Sequence, residues 1–352
     1  MSKARELANL GNAYSDGALS NRNVIANGAM IISQRGTSFT SVGNGNYTLD
    51  RFRLYSSGGG VFNVDQASDG PDDFTKSLKV TVATNDASIG ASDYYMLNHR
   101  IEGYSTSHFN FGTSAAKTVT LSFYVKSSLT GTFGGSFTNS SEANAYIFSY
   151  TINTANTWER KTVTITGQTS GTWSTDNTNS IRIYWDLGCG SGNVSGSSGW
   201  GSGGYGLSGT TQLVGTASAT WQITGVQLEV GDTATPFEHR SYGDELARCQ
   251  RYYFEARKGS YPEAYHYYAR TNIAVVGNVP FPVTMRATPS VTLNSNGVDN
   301  RAVRVNTAAL VTFSPVQSWW TKDAMAGLYD DVNTPFVSGE SYGIGIKADA
   351  EL

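Results

Sequence analysis

Residues Trp221–Tyr253 read WQITGVQLEVGDTATPFEHRSYGDELARCQRYY, and this stretch divides the chain. Trp221 and Ile223 share one alternating phase, and Val226, Leu228 and Val230 the other, so the phase changes at Gly225. An extra residue at that glycine forms a β-bulge, the device by which a strand re-aims its side chains. Gly231 to Pro236 then read as a corner. Ser241, with Asp244 three residues on, has the spacing of a helix capping box. Behind it Tyr242, Leu246, Cys249 and Tyr253 recur at helical spacing. The prediction is a strand, a corner and a short helical joint over 237–254, with a β-domain on either side.

On the N-terminal side the alternation is dense. Val119, Leu121, Phe123 and Val125 sit between Thr118, Thr120, Ser122 and Tyr124. The same period of two runs through Phe52 and Leu54, then Leu78, Val80 and Val82, then Tyr146, Phe148, Tyr150 and Ile152. It continues in Val163 and Ile165 and in Ile181, Ile183, Trp185 and Leu187. One buried and one wet face per strand suits an antiparallel sandwich. About eight to ten such strands over about 200 residues fit a two-sheet jelly roll, placed at 24–236. A glycine-rich run, Gly188–Gly209, beginning GCGSGNVSGSSGWGSGGYG, interrupts the series and reads as a long loop. Beyond the joint, Val291 and Leu293, Val303 and Val305, Val311 and Phe313, and finally Tyr342, Ile344, Ile346, Ala348, Ala350 and Leu352 alternate. A second, smaller β-sandwich is expected at 255–352. The fold class is all-β.

Composition supports this and narrows function. Charged residues are 15% of the 352, while Gly alone contributes 39. Polarity carried by hydroxyls and amides favours turns and solvated strands over helix. A net charge of −3 with no basic patch argues against nucleic acid as a partner. No apolar run approaches the about 20 residues that span a bilayer. The first 23 residues lack the apolar stretch of a secretory signal and read as an attachment or oligomerisation segment. Cys189 and Cys249 suggest no disulfide framework, which fits synthesis in a reducing cytoplasm.

Enzymatic motifs fail on context, and the chain is not expected to be an enzyme. Gly339–Gly343 matches a nucleophile-elbow string but falls in a predicted strand with no helix to follow. Gly199, Gly201 and Gly204 have a dinucleotide-type spacing without a surrounding βαβ unit. The four histidines show no zinc spacing. Asp65, Asp69, Asp72 and Asp73 form an acidic cluster that is either a candidate structural Ca²⁺ site or a solvated acidic loop.

Aromatic residues are the stronger signal. Sugars offer C–H faces to Trp and Tyr, and a few placed polar groups fix their orientation. Trp173, Trp200 and Tyr205 stand in polar sequence of the first domain. Tyr261, Tyr265, Tyr267 and Tyr268, with Trp319 and Trp320, do so in the second. Each is a candidate glycan contact, with a subunit interface or packing on the domain's own surface as the alternatives.

The run GVQLEVGDTATPFEHRSYGDELARCQRYY resembles a segment common in tail-fibre and other appendage proteins of tailed bacteriophages, particularly marine ones. NVIANGAMIISQRGTSFTSVGNGNYTLDRFRL ending at Leu54, NTWERKTVTITG at 156–167 and the closing ADAEL at 348–352 match the same pattern. The resemblance implies a jelly roll like that of carbohydrate-binding modules, followed by a smaller tip domain. It implies a virion protein attached to other virion proteins through its N-terminus, commonly a trimer, that recognises a bacterial surface glycan. A trimer also suits the apolar stripe of Tyr242, Leu246, Cys249 and Tyr253, which a helix of about ten residues has to bury to be stable. The alternatives are a fibre or decoration protein with a structural assembly role, and a secreted bacterial carbohydrate-binding module.

Overall fold

The computed structural model describes residues 21–256, 265–295, 298–299, 301–312, 317–329 and 335–352, together with residues 3 and 5. Most of the N-terminal attachment segment therefore lies outside the described residues. The chain divides into two compact units: residues 1–242 together with Leu352, and residues 243–351.

Unit 1 opens with β1 (Ser38–Phe39), β2 (Phe52–Ser57), β3 (Val61–Ala67), β4 (Ser77–Thr84) and β5 (Tyr94–Glu102). A single turn of helix, α1 (Gly103–Thr106), is followed by β6 (Val119–Ser127), β7 (Gly131–Asn139), β8 (Ala145–Ile152), β9 (Glu159–Ile165) and β10 (Asn179–Cys189). Three short strands come next, β11 (Val194–Ser195), β12 (Gly199–Gly201) and β13 (Gly206–Leu207), before the long β14 (Thr220–Val230). They pair into two six-stranded sheets, in the order β1-β3-β4-β14-β6-β9 and β12-β8-β7-β10-β5-β2. This is a jelly-roll sandwich. Its core is the set of inward residues the alternation picked out, with Val119, Leu121, Phe123, Ile183, Trp185, Trp221 and Ile223 all fully buried.

The phase break in β14 is a bulge, as the sequence indicated. Thr224 faces Tyr124 but Gln227 faces Ser122, so β14 carries one residue more than β6 across that step. Gly225 sits at φ +61°, and a Cβ there would lie 2.8 Å from Phe74 Cζ and 2.9 Å from Tyr124 Cδ2. A left-handed backbone pressed against two rings admits only glycine.

The glycine-rich run departs from its expectation. It is not a free loop: β12 extends the second sheet by pairing with β8, and β11 and β13 pair with each other in parallel. Glycine lets it lie flat. A Cβ at Gly206 would overlap the Asp186 carboxylate, and one at Gly134 would come within 3.0 Å of the Leu207 nitrogen.

Unit 2 begins with helix α2, Tyr242–Gln250, all but its first residue belonging here. The strands are β15 (Tyr253–Ala256), β16 (Tyr265–Thr271), β17 (Ala274–Pro280), β18 (Ser290–Ser295), β19 (Val298–Asp299), β20 (Arg301–Arg304), β21 (Leu310–Thr312), β22 (Gln317–Trp320), β23 (Ala324–Tyr329) and β24 (Ser341–Asp349). All belong to one hydrogen-bonded sheet, along the path β19-β18-β24-β16-β17-β23-β22 with β15, β20 and β21 branching from it, and β24 pairs with β15, β16, β18 and β20 along its length. Tyr342, Ile344, Ile346 and Ala348 of β24 are fully buried and centre its core. The helical stripe is corrected in one respect. Tyr253 opens β15 and pairs with Asp349, so it does not continue the helix. Cys249 is buried, Leu246 half-buried, and Tyr242 is 60% exposed.

Candidate functional site

The outward-facing side chains of β2, β5 and β10 make an unusual surface. Register sets Tyr55 opposite Met96, Arg53 opposite Asn98, Tyr184 opposite Asn98, and Arg182 opposite Arg100. Met96, Asn98 and Tyr184 form a buried floor. Tyr55, Tyr94 and Tyr205 pack on that floor half-buried, with Arg53, Arg100 and Arg182 beside them. The rings run in a continuous row. Tyr55 meets Tyr184 at 6.2 Å, Tyr184 meets Tyr205 at 5.2 Å, and Tyr205 meets Tyr94 at 6.0 Å between centroids. Tyr205 comes from the glycine-rich segment, held there because its amide donates to the Asn193 carbonyl at 2.8 Å.

One carboxylate anchors the row. Glu142, in the β7–β8 turn, adopts φ +61°, a left-handed backbone rare outside glycine. Its Oε1 accepts from Tyr184 Oη at 2.7 Å and from Arg182 Nη1, and its Oε2 accepts from Tyr205 Oη at 2.9 Å. Partial burial pushes this carboxyl up, but the two tyrosine hydroxyls and the Arg182 charge outweigh it and hold it below the usual glutamate range. Both phenols are pushed up, by burial first and by the Glu142 charge second. Arg100 donates to the Tyr55 hydroxyl, and the Arg53 guanidinium lies over the Tyr55 ring at 4.3 Å and the Tyr47 ring at 5.2 Å. Several polar atoms of this face are buried with no hydrogen-bond partner in the chain: Asn98 Oδ1, Ser136 Oγ, Thr138 Oγ1 and the Nε of Arg53 and Arg100.

Asp186, next along β10 on this face, is fully buried beneath Gly206. Its Oδ1 accepts from the Gly188 amide at 2.8 Å, yet burial still pushes its pKa up to about 6. Folding therefore favours the protonated acid. The stabilisation is fully present below the ordinary aspartate value near 3.8 and is lost as pH rises through about 6. That difference is about 3 kcal/mol. Asp186→Asn keeps an oxygen for the Gly188 amide without the charge. Its thermal midpoint should pull ahead of the parent's as pH climbs from 4 to 7; a constant gap across that range would contradict the assignment.

The aromatic candidates of unit 1 separate into two places. Trp173 and Trp200 come together at 6.0 Å, packed with Phe111 and Phe137, and with Tyr146 against Trp200. Both indole N–H groups donate to main-chain carbonyls of the same unit, Trp200 to Thr166 at 2.8 Å and Trp173 to Ser170 at 3.1 Å. They read as packing on the domain's own surface. Tyr205 alone joins the tyrosine row. The sequence reading passed over Tyr55, Tyr94, Tyr184, Arg53, Arg100, Arg182 and Glu142.

In unit 2, Tyr267 is corrected: it is 1% exposed, turned into the core by strand alternation, and cannot reach a ligand. Tyr265 is half-buried against that core and Tyr268 is 53% exposed. Trp319 and Trp320 lie in β22, with side chains outside what the structure describes, and Tyr261 is outside the described residues. The acidic cluster does not converge. Asp65 accepts from Ser38 Oγ at 2.6 Å, while Asp69 pairs with Lys126 Nζ and accepts from Trp158 Nε1 at 3.3 Å. Among the described residues no group of three or more acidic, His or Cys side chains, Asp72 and Asp73 included, is placed to hold a metal, so the Ca²⁺ expectation is withdrawn. Also among the described residues, no helix is long and apolar enough to cross a membrane.

No protein-family model matches the chain, and no curated protein does. Among solved structures, the enzymatically active domain of bacteriophage CBA120 tailspike protein 4 is similar over 61% of this chain and 22% of its own, at 15% identity and TM-score 0.35. A CBM4 structure is similar over 59% of this chain and 99% of its own, at 15% identity and TM-score 0.30. The family 11 carbohydrate-binding module of a Clostridium thermocellum cellulosomal cellulase follows, at 57%, 98%, 13% and 0.28 in the same order. At such scores none of the three fixes a ligand or a site for this chain.

Proposed function

We propose that the outer face of the second sheet binds glycan, and that the chain is an adhesive protein of a tailed-bacteriophage appendage. The observation that carries the binding reading is the row of half-buried rings Tyr55, Tyr205 and Tyr94, assembled from distant segments on the buried ring of Tyr184 and flanked by the Arg53, Arg100 and Arg182 guanidinium groups. A line of rings with polar atoms between them matches the alternating C–H faces and hydroxyls of a sugar chain. The appendage setting is supported by the resemblance of residues up to Leu54, 156–167 and 225–253 to such proteins. A homotrimer belongs to the same reading, supported by exposed Tyr242; sedimentation equilibrium giving the 37.7 kDa monomer at micromolar concentration would remove it.

The reading is binding without turnover. A glycosidase's general acid carries a raised pKa at the scissile bond. Glu142 is lowered instead, and Asp186, which is raised, is sealed beneath Gly206. Affinity electrophoresis against neutral and acidic bacterial polysaccharides should show retardation with no release of reducing ends. No retardation by any polymer would overturn the binding reading, and steady release would make the chain an enzyme.

A further inference from the structure

We propose that Glu238 and Arg240 form a mechanical clasp, which carries tension along the chain past the jelly roll instead of through it. The two side chains grip residues 21–25, with Asn23 lying 215 positions before Glu238 in the sequence. Glu238 Oε1 accepts from the Asn21 amide at 2.5 Å, and its Oε2 accepts from the Asn23 amide at 2.9 Å. Arg240 donates to the Asn23 carbonyl and, at 3.0 Å, to the Ile25 carbonyl. Arg22 Nη2 donates to the Pro236 carbonyl at 2.6 Å, and Glu238 and Arg240 pair with each other at 3.2 Å. Partial burial pushes the Glu238 carboxyl up, but the Asn23 amide and the Arg240 charge outweigh it and hold it below the usual glutamate range. The clasp therefore keeps its charge near neutral pH, and charge-assisted hydrogen bonds are about twice as strong as neutral ones.

Direction decides what these bonds resist. Arg22 meets Pro236, Asn23 meets Glu238 and Ile25 meets Arg240, so the two segments run parallel. The chain enters this part of unit 1 at Asn21, ahead of the first segment, and leaves the unit at Tyr242, just past the second. Tension thus draws parallel segments in opposite directions, and the cross-links bear it together in shear instead of parting one by one. Both segments are braced on β14. Buried Asn23 accepts from the Leu228 amide at 3.1 Å and donates to the Val226 carbonyl at 3.1 Å. Buried Gln227 accepts from the Glu238 amide at 2.8 Å, and Phe237 packs edge-on to Phe74 at 5.0 Å. While the clasp holds, strands β1 to β13 lie off the path of the load.

The test is single-molecule pulling on the full chain, with one handle on the N-terminus and one at Gly243→Cys, an exposed position with open space for a side chain. Native Cys189 and Cys249 are buried and leave the new thiol as the point of attachment. A second pair of handles, Ala87→Cys and Ala155→Cys in exposed connections, loads the sandwich without the clasp. The first geometry should need at least twice the force of the second. Its rupture should release about 70–80 nm in one step, at about 3.3–3.6 Å per residue over 21–242. Glu238→Gln with Arg240→Gln should lower the first force and leave the second unchanged. Forced unfolding reports the unfolding rate under load, so a clasp that merely stabilised the fold would lower both. That result, or equal forces in the two geometries with Glu238 and Arg240 intact, overturns the proposal. If the double glutamine variant does not fold, the comparison of the two geometries decides alone.

Discussion

Trp185→Ala should destabilise unit 1 by about 3–5 kcal/mol, the range for emptying a buried tryptophan site. Trp185 is wholly buried at the centre of β10, edge-on to Phe123 at 5.9 Å and 6.4 Å from Phe52. It is the side chain through which the second sheet fills the space against the first. Few domains hold more than about 5–15 kcal/mol in all, and the thermal midpoint should fall by about 6–20 °C. Trp185→Phe should cost less than the alanine, because the indole Nε1 is buried with no partner and its removal relieves that penalty. A midpoint within about 2 °C of the parent in the alanine variant would mean the core is not packed as described.

The second large effect is on binding. Tyr94→Ala with Tyr205→Ala should weaken glycan binding about tenfold or more, since each stacking ring is worth about 0.5–1.5 kcal/mol beyond its buried area. Both rings are half-buried at the rim, and neither holds up the sandwich core. The thermal midpoint should therefore stay near the parent's. Trp173→Ala serves as the comparison: it should lower stability while leaving affinity nearly intact, because its ring packs on Phe111 and Phe137. The reverse pattern, with affinity lost in Trp173→Ala and kept in the tyrosine pair, would move the site to the other aromatic cluster.

The parts of the fold that were legible are those where a single strand carries its own evidence. β6 alternates cleanly, and the bulge at Gly225 shows as a phase shift within one run. β5 and β7 were harder. In β5 the outward residues Met96 and Asn98 are themselves buried, which erases the contrast between faces. β7, GTFGGSFTN, spends three positions on glycine, each of which lets the chain lie against a neighbour. The glycine-rich segment read as a long loop because strand propensity says nothing of a chain held down by close backbone approach.

The site was nearly invisible for a related reason. Its rings come from positions 55, 94, 184 and 205, and only inter-strand register joins them. One signal was present. Tyr55 and Tyr184 stand in the outward phase of strands whose inward phase is Phe52 and Leu54, or Ile181 and Ile183. Large aromatics on the face expected to be wet deserve to be weighed together, strand against strand.

The most direct measurement is an NMR titration of ring-labelled tyrosine protein with an oligosaccharide that the chain binds. The account predicts saturable shifts largest at Tyr55, Tyr94 and Tyr205, with Tyr265, Tyr267 and Tyr268 unmoved. Shifts in the unit 2 tyrosines with Tyr55, Tyr94 and Tyr205 unchanged would contradict it.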